Sequence, residues 1–177
     1  MSKDLSYIKS KIATVPDFPK EGIIFRDIFP IFQDPLAVEY LINHLINHII
    51  TTNEQKIDVI VGLDARGFLL GPILALRLNA SFVPVRKRGK LCGEVISAEY
   101  VKEYGVDTFE MQKEAIKKGQ NVIIIDDLIA TGGSAFAAGE LVSKNGGNLI
   151  EYLFIIELLE LNGKEKLNNK VYSCIQY

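Results

Sequence analysis

Residues 122–135 read VIIIDDLIATGGSA, and how that stretch is read decides the fold. The apolar run Val122 to Ile125 predicts a strand buried on both faces, as in a parallel sheet covered by helices. Asp126 and Asp127 stand at its carboxyl end, where open α/β sheets place their ligands. Thr131-Gly132-Gly133-Ser134 follows as a turn, and SAFAAGELVSKNGG continues as a helix ending near Gly146. Such a turn aims backbone N–H groups, two hydroxyls and a helix N-terminus at one point, which is the equipment for holding a phosphate. Bare carboxylates repel phosphate, so the two aspartates must serve something else. A sugar phosphate satisfies both halves: its phosphate takes the turn and its hydroxyls donate to the carboxylates.

The flanking sequence supplies the sheet. The pattern predicts strand 58–63, helix 67–78, strand 81–86, a long polar loop, helix 107–118, strand 122–125, helix 134–145 and strand 149–157. KVYSCIQY at the end reads as one more strand. This alternation argues for an α/β fold, a mostly parallel twisted sheet flanked by helices. Before it, Leu5, Ile8 and Ile12 have helical spacing, and Asp34 can cap a helix that begins at Pro35 and runs to about Ile50. At 177 residues the chain is expected to be one domain. A net charge of −2 gives no reason to expect nucleic acid. With only Cys92 and Cys174, no zinc or redox spacing exists and a reducing compartment is the simpler reading. No apolar run is long enough to cross a bilayer, and MSKDLSYIKSKI lacks the apolar core of a signal peptide, so a cytoplasmic protein without a membrane partner is expected. His44 and His48, four apart on one helix face, have no third ligand or adjacent glutamate to make a zinc site.

VIIIDDLIATGGSA closely resembles the signature of the type I phosphoribosyltransferases, and four further segments resemble the adenine-using branch of that family. These are VPDFPKEGIIFRDIFPIF, GLDARGFLLGP, VPVRKRGKL and EYVKEYGVDTFEMQKEAI, which follow in family order over nearly the whole chain. The resemblance implies a sheet with a small N-terminal hood (1–34) and a flexible lid loop (89–106). It implies transfer of a phosphoribosyl group from phosphoribosyl pyrophosphate (PRPP) to adenine, giving AMP and pyrophosphate, with Mg²⁺ as cofactor in a homodimer.

Residue by residue, the resemblance puts Ala130, Thr131, Gly132, Gly133 and Ser134 around the 5′-phosphate, and Asp126 and Asp127 at the ribose hydroxyls. Neighbouring strand residues point to opposite faces, so either both aspartates face the sugar or one braces the loop. Asp64, Ala65 and Arg66 would bind pyrophosphate, with a cis peptide expected between Asp64 and Ala65. Arg86, Lys87 and Lys90 of RKRGK would bind the same group, where the plain alternative is solvated surface. The backbone of Ile24 and Arg26 would read the amine and N1 of adenine, with Phe25 and Leu128 sandwiching the ring. No metal cage is expected, because Mg²⁺ would be held mainly by substrate oxygens and water. Two other readings stay open: a transferase for another base, against which FRDI counts, and a PRPP-sensing regulator, for which the chain has no spare domain.

GKLCGEVISAEYVKEY, from Gly89, is either an irregular lid or, from the alternation in EVISAEYV, a small hairpin arm. The family commonly has proline where Cys92 stands, so this chain regains an N–H there. Arg66, Glu103 and Tyr104 are the catalytic candidates by resemblance, and Glu103 would accept or steer the N9 proton. Glu103→Gln is therefore expected to lower turnover much more than PRPP binding. If steady-state kinetics and PRPP titration fall together, or neither falls, Glu103 does not handle the proton.

Overall fold

A computed structural model describes residues 2–102 and 105–177, which form two units, one through Thr52 and one from Asn53. The first holds α1 (Lys3–Lys11), β1 (Ala13–Pro16), β2 (Ile24–Asp27), α2 (Phe29–Phe32) and α3 (Pro35–Thr52). Asp34 starts α3 as its sequence suggests: Oδ1 accepts the amides of Leu36 (3.0 Å) and Ala37 (3.3 Å). Its Oδ2 takes the Lys11 ammonium at 2.7 Å and the Tyr7 hydroxyl at 2.8 Å, tying α1 to α3. Lys11, with Tyr7, holds this carboxyl well below the usual range.

The second unit is the sheet. Its elements are β3 (Val59–Leu63), α4 (Gly67–Leu78), β4 (Ser81–Lys87), β5 (Val95–Lys102), β6 (Gly105–Gln112), β7 (Asn121–Ile129), α5 (Gly133–Lys144), β8 (Asn148–Glu157) and β9 (Lys170–Gln176). The strand order is β5-β6-β4-β3-β7-β8-β9. The five strands β4, β3, β7, β8 and β9 are mutually parallel, while β6 joins β4 and β5 antiparallel. The runs VIVGL and VIII form the centre because β-branched residues suit a pleat covered on both sides. Beneath α5, Val61, Leu63, Val122 and Ile124 meet Ala138, Leu141 and Val142 in one core cluster.

Two expectations need correction. Residues 107–118 are not a helix: Gly105–Gln112 is β6, paired along its length with β5 from Val95↔Gln112 to Lys102↔Gly105. Thr108 and Phe109 are strand formers, and Phe109 packs its ring centroid 4.8 Å from that of Tyr100 across the hairpin. Much of the segment read as a lid loop is thus the hairpin arm, the other reading its alternation allowed. Secondly, β7 does not stop at Ile125 but runs through both aspartates to Ile129.

Helix α4 approaches β7 so closely that its first residue has no room for a side chain. A Cβ on Gly67 would lie 2.6 Å from the Ile125 carbonyl oxygen. Gly67→Ala should cost about 1–3 kcal/mol by overpacking, or roughly 2–4 °C of melting temperature per kcal/mol at this size. A thermal melt identical to that of the parent would show that α4 can shift freely.

Candidate active site

From β3 the chain passes through α4 to β4 on one side, and from β7 through α5 to β8 on the other. That reversal opens a crevice at the carboxyl ends of β3 and β7, the usual ligand position in such sheets. β3 pairs with β7 only as far as Gly62↔Ile125, whereas β8 stays paired to Ile129↔Glu157. Beyond Ile125 one edge of β7 is therefore released by β3 while the other is held.

A cavity of about 230 Å³ lies there. It takes in Asp126, Asp127, Leu128, the turn from Ala130 to Ser134, Arg66 and Phe154. The pleat sends consecutive side chains to opposite faces, yet both aspartates line this one space along the released edge of β7. Phe154, unanticipated from sequence, sits opposite Asp126 on β8.

The turn gets its shape from backbone contact. Gly132 has φ 77°, in the left-handed region, and precedes the first residue of α5. Its carbonyl accepts the Phe136 amide at 2.9 Å, so the helix is hydrogen-bonded from its first turn. The leading amides of α5 have no acceptor within the helix and face its open end. A side chain on Gly132 would run into the carbonyl of Gly163, and one on Gly163 into the carbonyl of Ala130. Gly163 was missed from sequence, where an Asn-Gly pair in LNGKEK signals a turn and nothing more.

The site's charges are paired. Arg66, just before α4, places Nε 2.8 Å from Oδ2 of Asp127, whose side chain is only 4 % exposed. Arg66 acts on that carboxylate chiefly through its charge. The Asp127 amide donates to Oδ1 of Asp126 at 2.9 Å. Burial, then the Asp127 charge, pushes Asp126 well above the ordinary carboxylate range. Burial raises Asp127 too, but the Arg66 guanidinium opposes it. Asp127 is thus the better placed of the two to stay ionised.

The second junction lies beside this pair. The Asp64–Ala65 peptide is cis, as expected from the resemblance. The Asp64 amide donates to Val85 at 2.9 Å, and its carboxylate accepts Nε of Arg86 at 2.9 Å. Arg86 also donates to the Lys90 carbonyl at 3.0 Å, folding the basic run into a turn. Lys87 lies 3.7 Å from Asp107, so β6 braces this run. No group of three histidine, cysteine or acidic side chains poised to hold a metal occurs among the described residues.

Ile24, Phe25 and Arg26 belong to the N-terminal unit, on β2. Phe25 meets the ring of Phe18 edge-on at 5.1 Å, and Arg26 donates to the Thr14 hydroxyl at 2.6 Å. Ile24 opposes Pro16, which has no N–H, and the Ile23 carbonyl accepts the Phe18 amide. Since backbone groups alternate in direction along an antiparallel strand, those of Ile24 and Arg26 turn away from β1. Glu103 and Tyr104 lie outside the described residues.

Residues 32–176 match the family model for the phosphoribosyl transferase domain. The adenine phosphoribosyltransferase of Yarrowia lipolytica is 56% identical over 169 residues, 95% of this chain and 93% of that protein. That of Drosophila pseudoobscura pseudoobscura is 54% identical over 98% of this chain and 95% of its own length. Among solved structures, adenine phosphoribosyltransferase from Saccharomyces cerevisiae, complexed with an imino-altritol bisphosphate and adenine, superposes with TM-score 0.95 at 51% identity. That match covers 99% of this chain and 100% of the yeast one.

The carboxyl pair makes a prediction about stability. A carboxyl raised in the folded state stabilises fully below its unfolded value of about 3.9, and that contribution is lost as pH rises through the folded value. Asp126→Asn keeps an acceptor for the Asp127 amide and removes this loss. Its melting temperature should match the parent near pH 4 and equal or exceed it at pH 7–8. Asp127→Asn removes a carboxyl that burial also raises but Arg66 partly offsets, so it should gain less than Asp126→Asn at pH 7–8. Equal changes in both variants at pH 7–8 would contradict this assignment.

Proposed function

The chain belongs to the adenine phosphoribosyltransferase family and transfers the 5-phosphoribosyl group of PRPP to N9 of adenine, giving AMP and pyrophosphate; we propose how its residues divide that work. The observation that carries the reading is the single cavity holding a glycine turn at a helix start, two adjacent carboxylates and an arginine. Ala130 to Ser134 wrap the 5′-phosphate, whose charge suits the leading amides of α5. Asp126 and Asp127 accept the ribose hydroxyls. Arg66, held by Asp127 at 2.8 Å, changes partner when pyrophosphate arrives and leaves that carboxylate to the sugar. Asp64, Ala65, Arg86, Lys87 and Lys90 complete the pyrophosphate site, the basic run being already turned by the Arg86–Lys90 bond.

The outward-turned amide groups of Ile24 and Arg26 supply the donor and acceptor that adenine needs, and Phe25 and Leu128 the apolar contacts for its ring. A base with a 6-oxo group would leave such groups unpaired, which is costly when they are buried. N9 attacks C1′ as pyrophosphate departs from the opposite face, so the chain's task is to align the partners and steady the separated charge. In this reading Glu103 and Tyr104 steer the N9 proton and help exclude water.

The residues fit Mg²⁺, since Asp126 and Asp127 put hard oxygen donors into the same cavity. Mg²⁺ held there chiefly by substrate oxygens would neutralise charge on the leaving pyrophosphate. A cytoplasmic homodimer belongs to the same proposal. The first part is supported by two unpaired cysteines, Cys92 and Cys174. The second is supported by the family likeness and by the exposed apolar side chains Phe18, Ile23, Ile24 and Phe29. The same reading has one catalytic domain over 1–177, its hood drawn from residues 1–34 and its lid from 89–106.

The test is product formation by purified protein with PRPP and Mg²⁺, offered adenine, hypoxanthine, guanine and xanthine separately. AMP from adenine, with at least 100-fold less product from the others, is expected (about 2.7 kcal/mol of discrimination). Comparable turnover of a 6-oxopurine would overturn the base-reading assignment, and PRPP binding without product from any base would make the protein a sensor.

A further inference from the structure

Between β8 and β9 the chain makes a detour that the reaction above does not use. It leaves Glu157, runs through the 3₁₀ turns Leu159–Leu161 and Gly163–Lys166, and returns at Lys170. Glu157 is only 5% exposed and occupies the last position at which β8 pairs with β7, opposite Ile129. Ala130 and the phosphate turn begin immediately afterwards. The Glu157 carboxylate is 3.2 Å from the Lys164 ammonium through Oε1 and accepts Gln176 Nε2 at 3.0 Å through Oε2. The Leu158 amide donates to the Ile129 carbonyl at 3.1 Å, so the detour is stitched to β7 at the point where the turn departs.

The ion pair spans this loop of chain, and within the loop one backbone lies close against another. Gly163, next to Lys164, lies on the Ala130 carbonyl, and a Cβ there would also stand 2.8 Å from the Gly132 amide nitrogen. In return Gly132 has no room beside the Gly163 carbonyl. Gly132 is the left-handed residue from which α5 starts, with φ 77°. The contact on its outer side is this second glycine rather than a flexible side chain, so a displacement of the detour passes directly to the amides of the turn.

We infer that Glu157 and Lys164 are positioning residues for the 5′-phosphate: their ion pair seats Gly163 against Ala130 and Gly132 and so sets the phosphate turn. This inference rests on the phosphate reading of that turn. A nearly buried carboxylate is costly unless paired, and the pair joins the end of β8 to the segment that carries Gly163. Neither side chain needs to reach substrate. The pair acts through the Gly163 backbone, on the part of the reaction that depends on the phosphate and not on the part that depends on base or pyrophosphate.

The test compares Glu157→Gln, Lys164→Met and Lys164→Arg with the parent and with Thr131→Ala, which alters the turn itself. Each is assayed well below its melting temperature for KM of PRPP, KM of adenine, kcat, and Kd of AMP by calorimetry. Glu157→Gln and Lys164→Met should raise KM of PRPP and Kd of AMP about 10-fold, leaving KM of adenine within about twofold (10-fold being about 1.4 kcal/mol). Lys164→Arg, which restores the cation, should return both within about threefold of the parent. A fall in melting temperature with unchanged KM of PRPP and Kd of AMP would overturn the inference, because the pair would then be a structural brace alone. Failure of Arg to rescue would also overturn it. If Thr131→Ala leaves phosphate-dependent binding unchanged, the phosphate reading of the turn fails, and the inference falls with it.

Discussion

The strand β7 carries two adjacent carboxylates past the point where one of its neighbours lets go. Up to Ile125 it is held by β3 and β8, and from Asp126 to Ile129 by β8 alone. Had β3 continued, the aspartates would be sealed inside the sheet. Had β8 also stopped, nothing would aim them. The chain's reversal at this point, α4 leading one way and α5 the other, brings two helix starts to the released edge. One brings Arg66, the other the glycine turn.

The electrostatics follow from that geometry. Two carboxyls side by side in a half-closed cavity raise one another's cost of ionisation, and burial adds to it. The Arg66 cation offsets part of the cost at Asp127 and leaves Asp126 well above the ordinary range. Arg86 stands against Asp64 in the same way at the neighbouring junction. Each arginine that the proposed reaction assigns to pyrophosphate is thus held by an aspartate in this structure. An incoming polyanion with sugar hydroxyls attached can satisfy both sides at once, so binding can exchange ion pairs without leaving a charge unpaired.

Much of this was legible in the sequence, and for physical reasons. A continuous β-branched run such as Val122–Ile125 has few ways to be buried, and a Gly-Gly turn after it leaves little choice but a helix start. The parallel order of the core strands follows from the same alternation. The hairpin β5–β6 was legible only in part, since its charged distal half has helix-like composition and only cross-strand partners such as Tyr100 and Phe109 decide against a helix. Gly163 could not be found at all. Its importance lies in a backbone contact with Gly132, thirty-one positions away, and one glycine carries no trace of what it touches. The pairing of Arg66 with Asp127 was hidden for the same reason: the two come together only when β3 lies beside β7.

The central claim is that the turn after β7 holds a phosphate and the carboxylates beside it hold the attached sugar. Crystallising the protein with AMP tests this most directly. The account predicts phosphate oxygens within hydrogen-bonding distance of the backbone amides that open α5, and ribose hydroxyls against Asp126 or Asp127. A phosphate seated instead on the Arg86–Lys90 turn, with the sugar away from both aspartates, would contradict it.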